Sequence, residues 1–269
     1  MSVVRTYPFL EHEGPIPFAH RGGAGWSGRG PIENSLAAFQ RAIDLGYRYL
    51  ETDVHATSDG VLLAFHDKVL DRVTDSAGRV AALRAEEVAR ARIGGEEQIP
   101  RLDDLLGTFP SARFNIDVKH VSAIGPLVDA VRRTAALDRV CVGSFSDRRL
   151  GAVRAALGPD LATSFGPRGV IAVRAAAELG VLQRLVRAGV PCLQVPPTFG
   201  RLRVITTRFL ETAHRLGLHV HAWTIDDPAE MVRLLDLGVD GIMTDDLIAL
   251  REVLCARGQW NPHDSNNAS

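Results

Sequence analysis

"ETDVHATSDGVLLAFHD", residues 51–67, places Glu51, Asp53, Asp59 and Asp67 beside two histidines, His55 and His66, in a run that otherwise alternates like a β-strand. Thr57-Ser58-Asp59-Gly60 has the chemistry of a hairpin turn. Residues 61–65 are therefore expected to run back antiparallel and return His66 to the neighbourhood of Asp53. Glu51 and Asp53 lie two apart on a strand and point to the same side. Neighbouring carboxylates repel and destabilise the fold unless something positive sits between them. A strand that finishes in such a pair is expected to end in a site.

Outward from this stretch, short apolar runs keep alternating with amphipathic stretches of helical period. The runs are 16–20, 47–54, 113–118, 139–145, 160–165, 190–195, 218–223 and 240–244, and helices are expected over 35–45, 123–136, 146–157, 171–188, 206–216, 228–237 and 246–256. Asn34 or Ser35 opens the first helix and Gly46 follows it, Ser146 and Asp147 open another, and Gly217 and Gly238 close two more. About eight strand–helix units without a composition break predict one closed TIM (β/α)8 barrel over 1–258, with a polar, disordered tail over 259–269. Residues 67–112 are long for a connection and contain the helix-like "LRAEEVARARI". They are read as an insertion after the second strand's hairpin that caps the barrel mouth.

The 269 residues are 46% hydrophobic and 23% charged, ordinary for a chain that builds a full core. A net charge of −1 argues against broad capture of nucleic acid or an anionic membrane, so phosphate recognition must be local. Cys141, Cys192 and Cys255 are far apart within apolar runs and read as buried free thiols. The N-terminal "MSVVRTYPFLEHEG" lacks an apolar core with a cleavage site, and no stretch is apolar for long enough to span a membrane. A reduced, cytoplasmic enzyme or binding protein is expected.

Charged residues fall where the predicted strands end: His20 and Arg21 after the first, Glu51 and Asp53 on the second, Asp117 and Lys119 on the third. In a barrel this is the face where sites are built. A hard divalent cation would relieve Glu51 and Asp53, with Asp117 as third ligand, and all-oxygen ligation suggests Mg²⁺ or Ca²⁺. The competing reading is a buried ion-pair network of the same carboxylates with Arg21 and Lys119. It leaves His20 and His66 unexplained, whereas an acid/base pair explains them; His55 and His219 read as hydrogen-bonded core histidines. "GAGWSG", 23–28, matches a dinucleotide-binding pattern, but "RGPIEN" intervenes before a helix can start, and that reading is set aside.

The motifs "HRGGAGWSGRGPIENSLAAF", "ETDVHATSDGVLLAFHD", "IPRLDDLL", "NIDVK" and "HAWTIDDPAEMVRLLDLGVDGIMTDD" together resemble, in order and over nearly the whole chain, the glycerophosphodiester phosphodiesterase family. The resemblance implies a TIM barrel that hydrolyses glycerophosphodiesters to glycerol 3-phosphate and an alcohol with a divalent metal. It implies His20 and His66 as general acid and base, and Glu51, Asp53 and Asp117 as metal ligands. Arg21 and Lys119 would hold phosphate, Glu33 would assist the metal or the network, and Trp223 would wall the pocket. The sequence departs from the family pattern at Asp117, where the family has Glu, and at Ser35, Asp226 and Leu247, where it has Thr, Asn and Pro. The loop before Glu33 is also longer. Shortening the side chain at 117 draws its carboxylate back from the metal position. The runner-up readings are a related barrel phospholipase D acting on lysophospholipid or sphingomyelin, and a catalytically silent phosphate-binding barrel.

Overall fold

The structure, a computed structural model, describes residues 6–23, 33–179 and 189–261. The barrel strands are β1 (Ile16–Ala19), β2 (Tyr49–Ala56), β3 (Arg113–Val118), β4 (Val140–Gly143), β5 (Ala162–Thr163), β6 (Cys192–Val195), β7 (His219–Ala222) and β8 (Gly241–Thr244). They pair in the order β5-β4-β3-β2-β1-β8-β7-β6. A parallel bridge between Ser164 and Cys192, with Phe165 N donating to the Cys192 carbonyl at 2.9 Å, joins the two free ends. This is the expected eight-stranded parallel barrel.

Alternation along each strand sorts the side chains. On β2, Leu50 and Val54 face outward into the main core, while Tyr49 joins a separate cluster with Phe9, Phe18, Cys141, Cys192 and Met243 inside the barrel. That inner cluster plugs the N-terminal end: Tyr49 donates its hydroxyl to the Phe9 carbonyl at 2.9 Å, and Arg113 donates to the Glu11 carbonyl at 2.5 Å. Glu51 and Asp53 follow Tyr49 on the inward face, towards the open C-terminal mouth.

The surrounding helices are α1 (Leu36–Asp44), α2 (Ala85–Val88), α3 (Leu102–Thr108), α4 (Ile124–Arg133), α5 (Asp147–Leu157), α6 (Pro167–Leu179), α7 (Thr207–Arg215), α8 (Pro228–Leu237) and α9 (Leu247–Ala256). Ser35 caps α1, accepting from Ala38 N at 3.1 Å, and Thr206 and Asp246 cap α7 and α9 in the same way. α1 thus opens at its Ser35 cap; apart from Gly23, the 23–28 motif lies outside the described residues, as do 180–188 of the helix expected over 171–188.

Four expectations are corrected. "LRAEEVARARI" forms one helical turn, α2, followed by the Arg92–Ile93/Glu97–Gln98 hairpin, because its apolar residues close a small satellite cluster with Leu63, Phe65 and Leu70. The insertion also ends before Leu102: α3 buries Leu102, Leu105 and Leu106 in the main core and serves as the barrel helix between β2 and β3. Cys255 is exposed, since Leu247, Leu250 and Leu254 take the inner face of α9. Beyond 258, Trp260 packs edge-on against Tyr47 with ring centroids 5.0 Å apart, so the chain is held past the point where a tail was expected; residues 262–269 lie outside the described residues.

Candidate active site

The hairpin forms as the turn chemistry predicts. Val54, His55 and Ala56 pair antiparallel with Ala64, Leu63 and Leu62, and Phe65 N donates to the Asp53 carbonyl at 2.8 Å. His66 thereby returns to the mouth beside Asp53. On the other flank, Ala19 pairs with Leu50, so His20 lies one step beyond, level with Glu51. On the third strand Asp53 pairs with Asp117. His20, Arg21, Glu51, Asp53, His66, Asp117, Lys119 and Trp223 all line one cleft of about 550 Å³.

Backbone conformation tightens this corner. Arg21 adopts the left-handed region at φ 51°, and its N–H donates to Glu51 Oε2 at 3.1 Å. Gly22 follows at φ 79°, and a Cβ there would come within 2.9 Å of Ala38 Cβ, so only glycine lets α1 approach. Asn34, also left-handed, receives Thr52 Oγ1 at 2.7 Å and ties the Glu33 turn to β2.

The charges form a linked set. Lys119 Nζ bridges Asp53 Oδ1 and Asp117 Oδ2, each at 2.7 Å, and Arg21 Nε stands 3.1 Å from Asp53 Oδ2. Burial would raise the Asp53 pKa, but Lys119, Arg21 and His66 outweigh it and hold the carboxyl below its ordinary value. Glu51 goes the other way: burial, then the Asp53 charge, push it up to about 7. Glu51 is 4% exposed, and His20 Nε2 stands 3.8 Å from its Oε2. Burial disfavours charge on His20, yet the carboxylates of Glu51 and Asp245 outweigh it and raise its pKa. Lys119 is raised likewise, by Asp53 and Asp117 against burial.

Each histidine has its own carboxylate. His20 Nδ1 is 2.7 Å from Asp245 Oδ1, and His66 Nδ1 is 2.6 Å from Asp67 Oδ1. Asp245 was not singled out in the sequence, although the signal exists: β1 and β8 pair in register to Ala19 and Thr244, so the residues that follow must be neighbours. Asp226 Oδ1 accepts from Asp245 N at 2.7 Å and from Thr244 Oγ1 at 2.9 Å. Those contacts need an acceptor only, which an asparagine would also supply. Arg72 was missed as well; it binds Asp67 through Nε at 2.5 Å and grips Glu33 through both terminal nitrogens at 2.5 and 3.1 Å.

Glu33 is not among the residues lining the cleft. It is 5% exposed behind Arg21, and one of its oxygens takes Arg21 NH1 at 3.2 Å while both take Arg72. His55 behaves as a core histidine, with Nε2 3.0 Å from the His66 carbonyl, and burial lowers its pKa. Trp223 stands edge-on to Phe145 at 5.6 Å on the cleft wall.

The donor chemistry fits a hard divalent cation. Asp53 Oδ2 and Asp117 Oδ1 are buried without a hydrogen bond, and Glu51 and Asp53 share one inward face. Among the described residues no three acidic, imidazole or thiol groups converge as a ready-made cage, because Lys119 and Arg21 stand between the carboxylates. Both expected arrangements, carboxylate pair and ion-pair network, are thus present in the same atoms.

Comparison with known proteins identifies the family. Residues 20–249 match the glycerophosphoryl diester phosphodiesterase family. The chain is 43% identical over 259 residues to the probable glycerophosphodiester phosphodiesterase 2 of Mycobacterium tuberculosis, covering 95% of this chain and 97% of that protein. It is 29% identical to a glycerophosphodiester phosphodiesterase of Caldanaerobacter subterraneus, over 86% of this chain and 94% of the relative. Its fold is similar to that of a putative glycerophosphoryl diester phosphodiesterase from Silicibacter pomeroyi, with TM-score 0.79, 24% identity and coverage of 95% and 100% of the two chains. It is also similar to an Oleispira antarctica phosphodiesterase in complex with the product sn-glycerol-3-phosphate, with TM-score 0.74, 22% identity and coverage of 90% and 97%. With a family match across most of its length and a relative this similar over nearly all of it, the chain belongs to the glycerophosphoryl diester phosphodiesterase family.

Proposed function

We propose that this chain hydrolyses glycerophosphodiesters to glycerol 3-phosphate and an alcohol, with His20 and His66 as the acid–base pair. The observation that carries the reading is their placement: two carboxylate-backed histidines open on one cleft that also holds Glu51, Asp53 and Lys119. With Nδ1–H of His66 donated to Asp67, Nε2 keeps its lone pair and can withdraw a proton from the attacking oxygen. His20, held between Glu51 and Asp245, is suited to deliver a proton to the leaving alkoxide. Arg21 and Lys119 supply positive charge to the phosphoryl oxygens as charge builds there. Arg21 has its backbone N–H on Glu51 and its side chain on Asp53 and Glu33, so it meets substrate already oriented.

A divalent cation, Mg²⁺ or Ca²⁺, held by Glu51 and Asp53 with Asp117 completing an all-oxygen set, would supply further positive charge against the phosphate. Glu33, with its oxygens on Arg21 and Arg72, supports the network from behind. The three free cysteines suit a reducing compartment, and we place the protein in the cytoplasm; no helix among the described residues is long and apolar enough to cross a membrane.

The test is release of glycerol 3-phosphate from glycerophosphocholine, with and without each metal, by wild type and by His20→Ala and His66→Ala. Turnover in the wild type and its loss in both variants is the expected result. A wild type that binds phosphate but turns over no diester under any metal condition would make the chain a silent phosphate-binding barrel.

A further inference from the structure

The five most exposed large apolar side chains among the described residues are Phe199 at 77%, Ile171 at 67%, Phe145 at 65%, Val121 at 55% and Leu202 at 52%. Val121 follows β3, Phe145 follows β4, and Ile171 sits on α6 after β5. Phe199 and Leu202 pair across a short hairpin, Thr198–Phe199 with Leu202–Arg203, after β6. All five therefore stand on the connections of four consecutive strands, along one arc of the mouth. Phe145, Ile171 and Phe199 also line the cleft, so the apolar surface runs from its wall out to the rim. Single exposed hydrophobic residues are normal, but a contiguous arc of them beside a binding cleft marks an interaction surface.

The charge on this arc is as uneven. Segments 120–122, 145–149, 165–171 and 196–203 contain Arg148, Arg149, Arg168, Arg201 and Arg203 against a single acid, Asp147. Asp147 is engaged locally, accepting from Arg168 N at 3.4 Å. Arg149 turns inward to Ser144, and Arg203 lies in the field of Glu230. Arg148, Arg168 and Arg201 are exposed and enter no ion pair among the described residues. The connections after β7 and β8, on the other side of the mouth, carry Asp226, Asp227, Asp245 and Asp246 ahead of their helices and no lysine or arginine there, whereas the connection after β2 balances Asp67 with Lys68 and Arg72. With a net charge of −1 the whole molecule is not drawn to anions, so the basic excess is a property of this arc.

We propose that this arc docks on an anionic lipid surface, with Phe145, Ile171, Phe199 and Leu202 entering the headgroup layer and the unpaired arginines among its phosphates. Apolar tips flanked by cations are what an anionic bilayer selects, each part weak alone and the two additive. A second copy of the chain is a poorer occupant, because a two-fold contact through this face would bring the same arginines together. The acidic side of the mouth, after β7 and β8, sets the tilt by staying away from the surface, which leaves the cleft open at the lipid edge. The docking does not depend on the hydrolysis proposed above, and the two fail separately.

Co-sedimentation with vesicles tests it: phosphatidylcholine mixed with phosphatidylserine against phosphatidylcholine alone. The wild type should partition onto the anionic vesicles, less so as salt rises. Arg201→Gln and Arg168→Gln should each weaken binding about fivefold, and Leu202→Ser about tenfold. Leu202 and Arg201 do not line the cleft, so Leu202→Ser and Arg201→Gln should keep the wild-type rate on a water-soluble diester without vesicles, which reports that they fold. Wild type that stays in the supernatant with both vesicles overturns the proposal. So does binding that none of the three variants weakens, or a solution dimer that Leu202→Ser dissociates.

Discussion

Replacing Glu51 by glutamine should make the metal-free protein more stable at neutral pH. Glu51 has its pKa pushed from an ordinary 4.5 to about 7 by burial and by the Asp53 charge. A carboxyl whose folded pKa is raised holds its proton more tightly folded than unfolded, so its contribution is neutral below the unfolded value and turns destabilising as pH rises. The loss begins near pH 4.5 and is complete above about 7. At 1.36 kcal/mol per unit this amounts to about 3 kcal/mol, of which about 2.5 falls between pH 5 and 8. Glutamine keeps the shape and the acceptor for Arg21 N but carries no charge, so the variant should lack that loss. At about 2 °C per kcal/mol for a chain somewhat longer than 250 residues, the wild type should lose roughly 5 °C relative to the variant between pH 5 and 8 in chelator. A divalent cation at about a hundred times its Kd should return about 2.7 kcal/mol to the wild type and much less to the variant. Melting curves of both proteins at the two pH values, with chelator, Mg²⁺ and Ca²⁺, read all of this without an activity assay. If the two curves run parallel with pH and the wild type ignores both metals, Glu51 is an ion-pair residue and the reasoning is wrong.

Arg21→Ala and Lys119→Ala should each raise the inhibition constant of glycerol 3-phosphate about tenfold or more, the size of a lost charge-assisted hydrogen bond, as read by competition assay. Asp245→Asn should lower kcat more than KM, because it leaves the phosphate contacts in place and removes the anion that orients His20. His221 is fully buried, tilted against Phe18 at 4.9 Å, with both ring nitrogens unpartnered and its pKa lowered to about 3 by burial and His219. A histidine with a depressed folded pKa costs nothing above its unfolded value of 6.5 and destabilises increasingly as pH falls, by about 1.4 kcal/mol per unit down to about 3. His221→Met should therefore move the acid-unfolding midpoint down, as followed by circular dichroism. Cys255 should react with a thiol reagent in the native protein, while Cys141 and Cys192, both buried, should react only on unfolding.

The barrel was legible because its signals are local and repeat. Each strand is a short apolar run, each long helix has its period, and caps such as Ser35 and Thr206 stand where the side chain can reach the third amide. The site was legible where it lies on strands, since alternation alone puts Glu51 and Asp53 on one face and turn chemistry alone returns His66. What escaped depends on closure. Asp245 meets His20 across 225 positions only because the last strand pairs with the first. Arg72 reaches Glu33 from inside the insertion, whose path is set by a satellite core of nine buried side chains, Val80 and Ile93 among them, that no period announces. The resemblance to the family supplied the roles of Arg21, Lys119 and Trp223, which spacing could not.

The insertion earns its place through these charges. From His66 the chain of contacts runs to Asp67, then Arg72, then Glu33, then Arg21, and returns to Asp53 and Lys119. Every cation in this loop is shared between two carboxylates, and Glu51 stands outside it. Arg21 gives Glu51 only its backbone N–H and spends its guanidinium on Asp53 and Glu33. One carboxylate in a buried acidic cluster is thus left short of positive charge while its neighbour Asp53 is held ionised. An ion-pair network built only for stability would divide its cations more evenly, since an under-compensated buried charge destabilises the fold. The uneven division is what a cleft needs if the missing charge is to arrive from outside, and it falls beside His20; Asp53 and Asp117, which line the same cleft, each also keep a buried oxygen without a hydrogen bond.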